Sequence, residues 1–251
     1  MRPVIGAAVA ACCVLASAAA PAPLRLGGIA IGASVLDAVK SFGMPDVVQT
    51  TDDGHFWQWS QAGGLDREVI TDDALDVQAV LVARAAPSST AQPAEFPLLG
   101  ESAADAAGAM RDLGAVRARE RAGAWTAWRS NGGVLVVEDA DGTVARIRAF
   151  DEPTAAIRGY DGVMPSPHAH HAPVLLKEFT PSQLPPAGTA VVRVEIDARG
   201  GVTQTRVIVS SGDPAVDRFV VDSMAHSTFA PASCDGAPCA GVFLQIDGMM
   251  R

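Results

Sequence analysis

Basic side chains are scarce in this sequence: 19 lysines and arginines stand against 28 aspartates and glutamates, for a formal net charge of −9. Nucleic-acid affinity comes largely from lysines and arginines that neutralise phosphates, so the balance argues against such a ligand. The one dense basic run, Arg117, Arg119 and Arg121, is broken by Glu120 and reads as a solvated loop or helix end. Cysteine is equally sparse. Cys12 and Cys13 fall in an apolar N-terminal stretch, which leaves Cys234 and Cys239, and their Cys-x4-Cys spacing is not the Cys-x-x-Cys that activates a thiolate at a helix start. That pair alone supplies too few ligands for a metal. No Gly-x-Ser-x-Gly elbow surrounds Ser211, and His226 has no fixed partner in the sequence. Asp72-Asp73, Asp139 and Asp141 fall in turns, where aspartate bonds its own backbone. These absences argue against an enzyme, a cofactor, a metal and a small-molecule substrate.

Apolar surface is abundant. At 49% hydrophobic and 19% charged, 251 residues can bury a core and make two or three small domains. Residues 1–20, "MRPVIGAAVAACCVLASAAA", place Arg2 before an apolar run that ends in Ala16-Ser17-Ala18, the pattern of a cleaved signal peptide. Two other readings stay open: a lipobox at Val9-Ala10-Ala11-Cys12, and an uncleaved membrane anchor from Pro3 to Ala20. Export makes Cys234 and Cys239 a disulfide across the turn-rich "CDGAPC".

Residues 24–86 hold "GASVLDAVKSFG", a Ser34-capped amphipathic helix ended by Gly43, and then three strand-like pieces, "HFWQWS", "EVIT" and "VQAVLVA". Residues 96–151 repeat this grammar: a helix ending at Gly114, then "AWTAWRS", "VLVVEDADG" and "TVARIRAF". Trp57 and Trp59 match Trp125 and Trp128. They read either as core residues or as an aromatic binding surface, tryptophan being enriched at interface hot spots. Residues 152–186 read as a linker rich in proline, with His168, His170 and His171 solvated and lacking further ligands at metal-site spacing.

In 187–251, "TAVVRVEID" and "VTQTRVIV" form a hairpin around Arg199-Gly200-Gly201. Ser210-Ser211-Gly212 ends the second strand, and Asp213-Pro214 starts a helix with Val216, Phe219, Val220 and Met224 on one face. "TFAPASCDGAPCAGVFLQID" then turns into a last strand.

Two resemblances follow from these phrases. "IGASVLDAVKSFGMPDVV" resembles the opening of outer-membrane assembly lipoproteins, and tandem units of this kind are similar to the beta-lactamase inhibitor protein, whose sheets bind other proteins. The stretch from "VRVEIDARGG" through "VIVSSGDPAVDRF" and "TFAPA" to "VFLQI" resembles the TonB C-terminal domain family. The fold class expected is α+β: two helix-plus-antiparallel-meander repeats followed by a small ββαβ TonB C-terminal-like domain. The resemblance implies a periplasmic module that binds an outer-membrane receptor by strand addition along an edge strand made of Val242, Phe243, Leu244, Gln245 and Ile246. A second reading is an envelope-assembly or inhibitor-like protein that binds partners through the N-terminal repeats. A third is a membrane-anchored energy transducer.

Overall fold

The computed structural model describes residues 22–86, 88–121, 124–130, 132–157, 170–182 and 187–249. The signal-like segment 1–20, with Cys12 and Cys13, and His168 lie outside the described residues.

A two-stranded ribbon, β1 (Arg25–Leu26) and β2 (Ile29–Ala30), precedes helix α1 (Val35–Phe42) and strands β3 (Val47–Thr51), β4 (Gly54–Ala62), β5 (Leu65–Thr71) and β6 (Val77–Arg84). Helix α2 (Ala103–Asp112) then leads into β7 (Val116–Arg121), β8 (Trp125–Ser130), β9 (Gly133–Ala140) and β10 (Thr143–Phe150). After α3 (Glu152–Ile157) come β11 (His170–His171), β12 (Val174–Lys177), β13 (Gly188–Ile196) and β14 (Val202–Val209). Helix α4 (Pro214–His226), the short strands β15 (Thr228–Ala230), β16 (Ala232–Cys234) and β17 (Ala237–Cys239), and finally β18 (Gly241–Met249) complete the order.

Local chemistry sets the helix starts. The Ser34 hydroxyl accepts the Leu36 amide, the Ser102 hydroxyl accepts the Asp105 amide, and the Asp213 carboxylate accepts the Ala215 amide, each filling one of the donors a helix leaves open at its first turn. Pro214 follows its cap at the first helical position, where a missing N–H removes no bond. Gly43 ends α1 at φ 84, its amide returning to the Val39 carbonyl.

The protein is predominantly β, which corrects the α+β expectation of two helix-plus-meander repeats and a separate ββαβ domain. One antiparallel sheet of 11 strands runs through all three expected units, in the order β14-β13-β18-β3-β4-β5-β6-β10-β9-β8-β7. The physical reason is the need to pair strand edges. β6 and β10 would each leave a row of amides and carbonyls open, and they pair with one another, Val82 opposite Ile147 and Val80 opposite Ala149. Two strands absent from the sequence reading, β3 and β7, lengthen the sheet further. β3 meets β18 at Gln49 and Gln245, and the basic run read as a loop or helix end is the outermost strand β7.

The stretch read as a linker is partly structured. Glu152–Ile157 is helical, His170–His171 pairs with β16, and Val174–Lys177 pairs with β15. One apolar cluster under α1 and α2 runs from Leu26, Val35 and Trp57 through Met110 and Ile147 to Val191 and Leu244. Beneath α4 lies a second, of Val192, Val194, Ile196, Met224, Phe229 and Phe243.

Candidate functional site

The expected edge strand is an interior strand. β18 pairs with β13 from Gly241–Ile196 to Met249–Gly188, and its other side faces β3. There the Thr50 hydroxyl accepts the Leu244 amide at 2.6 Å. Val242, Phe243 and Leu244 are buried, and Gln245 and Ile246 half-buried. This run is therefore not placed as an open edge for an incoming strand, because the N-terminal part of the sheet already occupies that side.

The tryptophans do not form an aromatic surface. Trp57 and Trp59 alternate with half-buried neighbours, lie on the inward face of β4 and stack at 6.3 Å between ring centroids. Their indole N–H groups are satisfied inside, Trp57 by Thr71 Oγ1 at 3.2 Å and Trp59 by the Gly43 carbonyl at 3.0 Å. Phe42 packs edge-on against Trp59, and the Arg67 guanidinium lies 4.4 Å above the Phe42 ring. Trp128 is buried and Trp125 half-buried. Their odd spacing already puts them on opposite faces of one strand.

Among the described residues, the outermost strands of the large sheet are β14 and β7. β7, "VRARER", is exposed along nearly its whole length. At its start Val116 is 69% exposed, beside Leu113 at 60%. A cleft of about 390 Å³ opens there between the end of α2 and the N-terminal segment, lined by Leu24, Phe96, Met110, Leu113, Ala115 and Leu135. Arg117 pairs with Glu120 along the same strand.

A polar seam joins the N-terminal strands to the C-terminal part. His55, on the same inward face as Trp57 and Trp59, is 1% exposed. Its Nε2 lies 3.1 Å from Asp73 Oδ1 and its Nδ1 3.1 Å from Thr50 Oγ1. The Arg193 guanidinium donates to the Asp73 carbonyl and to Glu195. The hydrogen bond with His55 holds the Asp73 carboxyl below the ordinary aspartate range; burial opposes this, and the charges of His55 and Arg193 add to it. The Thr50 hydroxyl has two partners within reach as acceptors. Its one proton can go to His55 Nδ1 at 3.1 Å or to the Leu244 carbonyl at 3.3 Å, one at a time. Asp73, His55 and Thr50 stand in the carboxylate, imidazole, hydroxyl order of acyl-transfer sites. The hydroxyl oxygen, however, is already engaged by the Leu244 amide, and none of the three residues lines the cleft at the end of α2. A histidine two positions before Trp57, on the strand face that Trp57 and Trp59 share, was the available sequence signal for this seam.

Nearby, Asp52 at the β3–β4 turn accepts the Ala172 amide at 2.9 Å and meets His171 Nδ1 at 3.1 Å, tying the β11 segment to the sheet. The Ala172 amide, then His171, hold its carboxyl low. Cys234 and Cys239 are joined as a disulfide with Cα atoms 5.8 Å apart, a bond that forms in an oxidising compartment. Ser210 and Ser211 bind a helix rather than a substrate: their hydroxyls donate to Asp217 at 2.5 and 2.7 Å. Burial raises the Asp217 carboxyl, but these hydroxyls and the Ser211 amide outweigh it and leave the group below its ordinary range.

No protein-family model matches the chain, and no curated protein matches it. Among solved structures, a cysteine-rich secretory protein from Staphylococcus aureus subsp. aureus Mu50 aligns with a TM-score of 0.40 and 12% identity, over 58% of this chain and 52% of that one. An extracellular protein containing an SCP domain, from Bacillus anthracis str. Ames, aligns with a TM-score of 0.38 and 12% identity, over 52% of this chain and 47% of that one. The chain spans about half the length of each, and likeness at this level assigns it no function. Neither of these structures is a TonB C-terminal domain, an outer-membrane assembly lipoprotein or a beta-lactamase inhibitor protein, no family model points to one, and the family expectation is corrected on that finding. The phrases that carried it mark local turns and caps, which strands of many folds share. Among the described residues no helix is long and apolar enough to cross a membrane.

Proposed function

We propose that this is an exported protein-binding protein of the periplasm, which takes an extended segment of a partner from the cell envelope along β7 and does no chemistry of its own. The observation that carries the reading is the position of β7: it is the outermost strand of an 11-stranded sheet and exposed along nearly its whole length. An unpaired strand edge offers amides and carbonyls to an incoming strand, and side-chain pockets beside it set specificity. Here the pocket is the cleft that holds Leu113 and Ala115, and Arg117, Arg119 and Arg121 favour an acidic segment. The signal-like pattern of residues 1–20 and the Cys234–Cys239 disulfide support export.

A photo-crosslinking amino acid placed in turn at Arg119 in β7 and at Gln204 in β14 of the full chain, expressed in cells, tests this. Adducts with envelope proteins are expected from position 119, and loss of them on Arg117→Glu with Arg121→Glu. Adducts from position 204 alone would refute the assignment.

A further inference from the structure

Two features that are each insufficient in the sequence meet in the fold. Pairing of β11 with β16 sets His170 opposite Cys234. Pairing of β16 with β17 sets Cys234 opposite Ala237, and Ala232 opposite Cys239. Opposed residues in an antiparallel pair project to one face, as do residues two apart on a strand. His170, Cys234 and Cys239 therefore share a face of this small sheet, with their ligand atoms all within 4.8 Å of one another.

We propose that reduction of the Cys234–Cys239 disulfide converts these three side chains into a binding site for a thiophilic d10 cation of the Zn²⁺ type. In the disulfide, each sulfur is bonded to the other and neither is a thiolate, so crosslink and cation exclude one another. A dithiol reductant delivers two electrons and two protons to the bond, leaving two protein thiols and its own disulfide. The cation then displaces both thiol protons, and two Sγ thiolates and one His170 ring nitrogen hold it, with water in the fourth position of a tetrahedron.

The backbone suits both states. Asp235 and Gly236, at φ 52 and 80, make the left-handed two-residue turn that closes hairpins by itself, so the chain between the cysteines stays folded without the crosslink. Tetrahedral coordination by two thiolates at about 2.3 Å sets the sulfurs about 3.8 Å apart. Side-chain rotation reaches that from Cα atoms 5.8 Å apart, with no movement of the strands. The third ligand comes from 64 positions earlier in the chain, brought into place by strand pairing and by the bonds from Asp52 to His171 and Ala172.

The test is anaerobic titration of the full exported chain with Co²⁺ and Zn²⁺, before and after reduction by a phosphine that is then removed. The reduced chain is expected to bind one equivalent, with a thiolate-to-cobalt charge-transfer band that Zn²⁺ abolishes, and the oxidised chain to show none. His170→Ala is expected to weaken binding by about tenfold or more, whereas His226→Ala on α4 leaves it unchanged. Circular dichroism and tryptophan emission of reduced His170→Ala confirm that the sheet persists, and His170→Cys, which restores a ligand, is expected to recover binding. A reduced chain without the band, or equal affinity for wild type and His170→Ala, would overturn the proposal.

Discussion

Thr50→Val tests the seam between β3 and β18 directly. The Thr50 hydroxyl accepts the Leu244 amide at 2.6 Å and meets His55 Nδ1 at 3.1 Å, and both partner residues are buried. Valine has nearly the same shape, so no cavity opens and the loss is confined to hydrogen bonding. It leaves two buried polar groups, the Leu244 N–H and the His55 Nδ1, with no partner. Each such group costs about 1–3 kcal/mol, which puts the substitution at about 2–6 kcal/mol before relaxation. For a chain of this length a loss of about 3 kcal/mol lowers Tm by about 6–12 °C. Urea unfolding followed by tryptophan emission reads the loss, because the stacked Trp57 and Trp59 lie in the same core. Combining Thr50→Val with His55→Phe removes one of the orphaned groups, so the double variant is expected to lose less than the sum of the singles, by about 1 kcal/mol. A single-variant loss below about 0.5 kcal/mol, the range of an ordinary surface change, would refute the claim that this hydroxyl holds the two parts of the sheet together.

Two further outcomes follow. The Asp73 carboxyl is held low, chiefly by its bond with His55, so its contribution is present above the unfolded-state value near pH 4 and is lost as pH falls through the folded value. Asp73→Asn is therefore expected to be less stable than wild type at pH 7, with the gap in urea midpoint closing as pH falls from about 5 to about 2, and a gap independent of pH would count against the pairing. Cys234→Ser with Cys239→Ser removes a crosslink across a very short loop that its own turn already closes, so the loss in thermal unfolding is expected to stay below about 2 kcal/mol. A larger loss would mean that the disulfide, and not the Asp235-Gly236 turn, holds the hairpin.

The starts of α1 and α4 were legible because capping is local: Ser34 and Asp213 each accept an amide within the first turn that follows. So was the Cys234–Cys239 pair, which lies across one turn. Strand existence followed from alternation where apolar residues alternate, as in β4 and β13, and from a continuous apolar run in β9. It failed for β3, whose "QTT" end is polar, and for β7, whose arginines suit an open edge and carry no apolar period. Sheet membership was out of reach for a different reason. Whether Val242 to Ile246 is an edge depends on what lies beside it, and that neighbour, Thr50, is 194 positions away. For the same reason the seam of Thr50, His55, Asp73 and Arg193, and the meeting of His170 with the cysteines, become visible only once strands distant in sequence pair. Of the two readings open for the tryptophans, alternation could have chosen the core: Trp57 and Trp59 share a face with the buried His55, and Trp125 and Trp128 cannot share one at all.

The position of β18 has a consequence for how the chain reaches this state. It follows every other described strand in sequence, yet it sits between β13 and β3. Until it is made and released, the sheet exists as two pieces, each ending in a bare strand. Contacts that span 194 residues form slowly, since a long loop must close before they contribute. In the same interval β3 and β13 are exposed to any strand nearby, including those of a second unfinished copy.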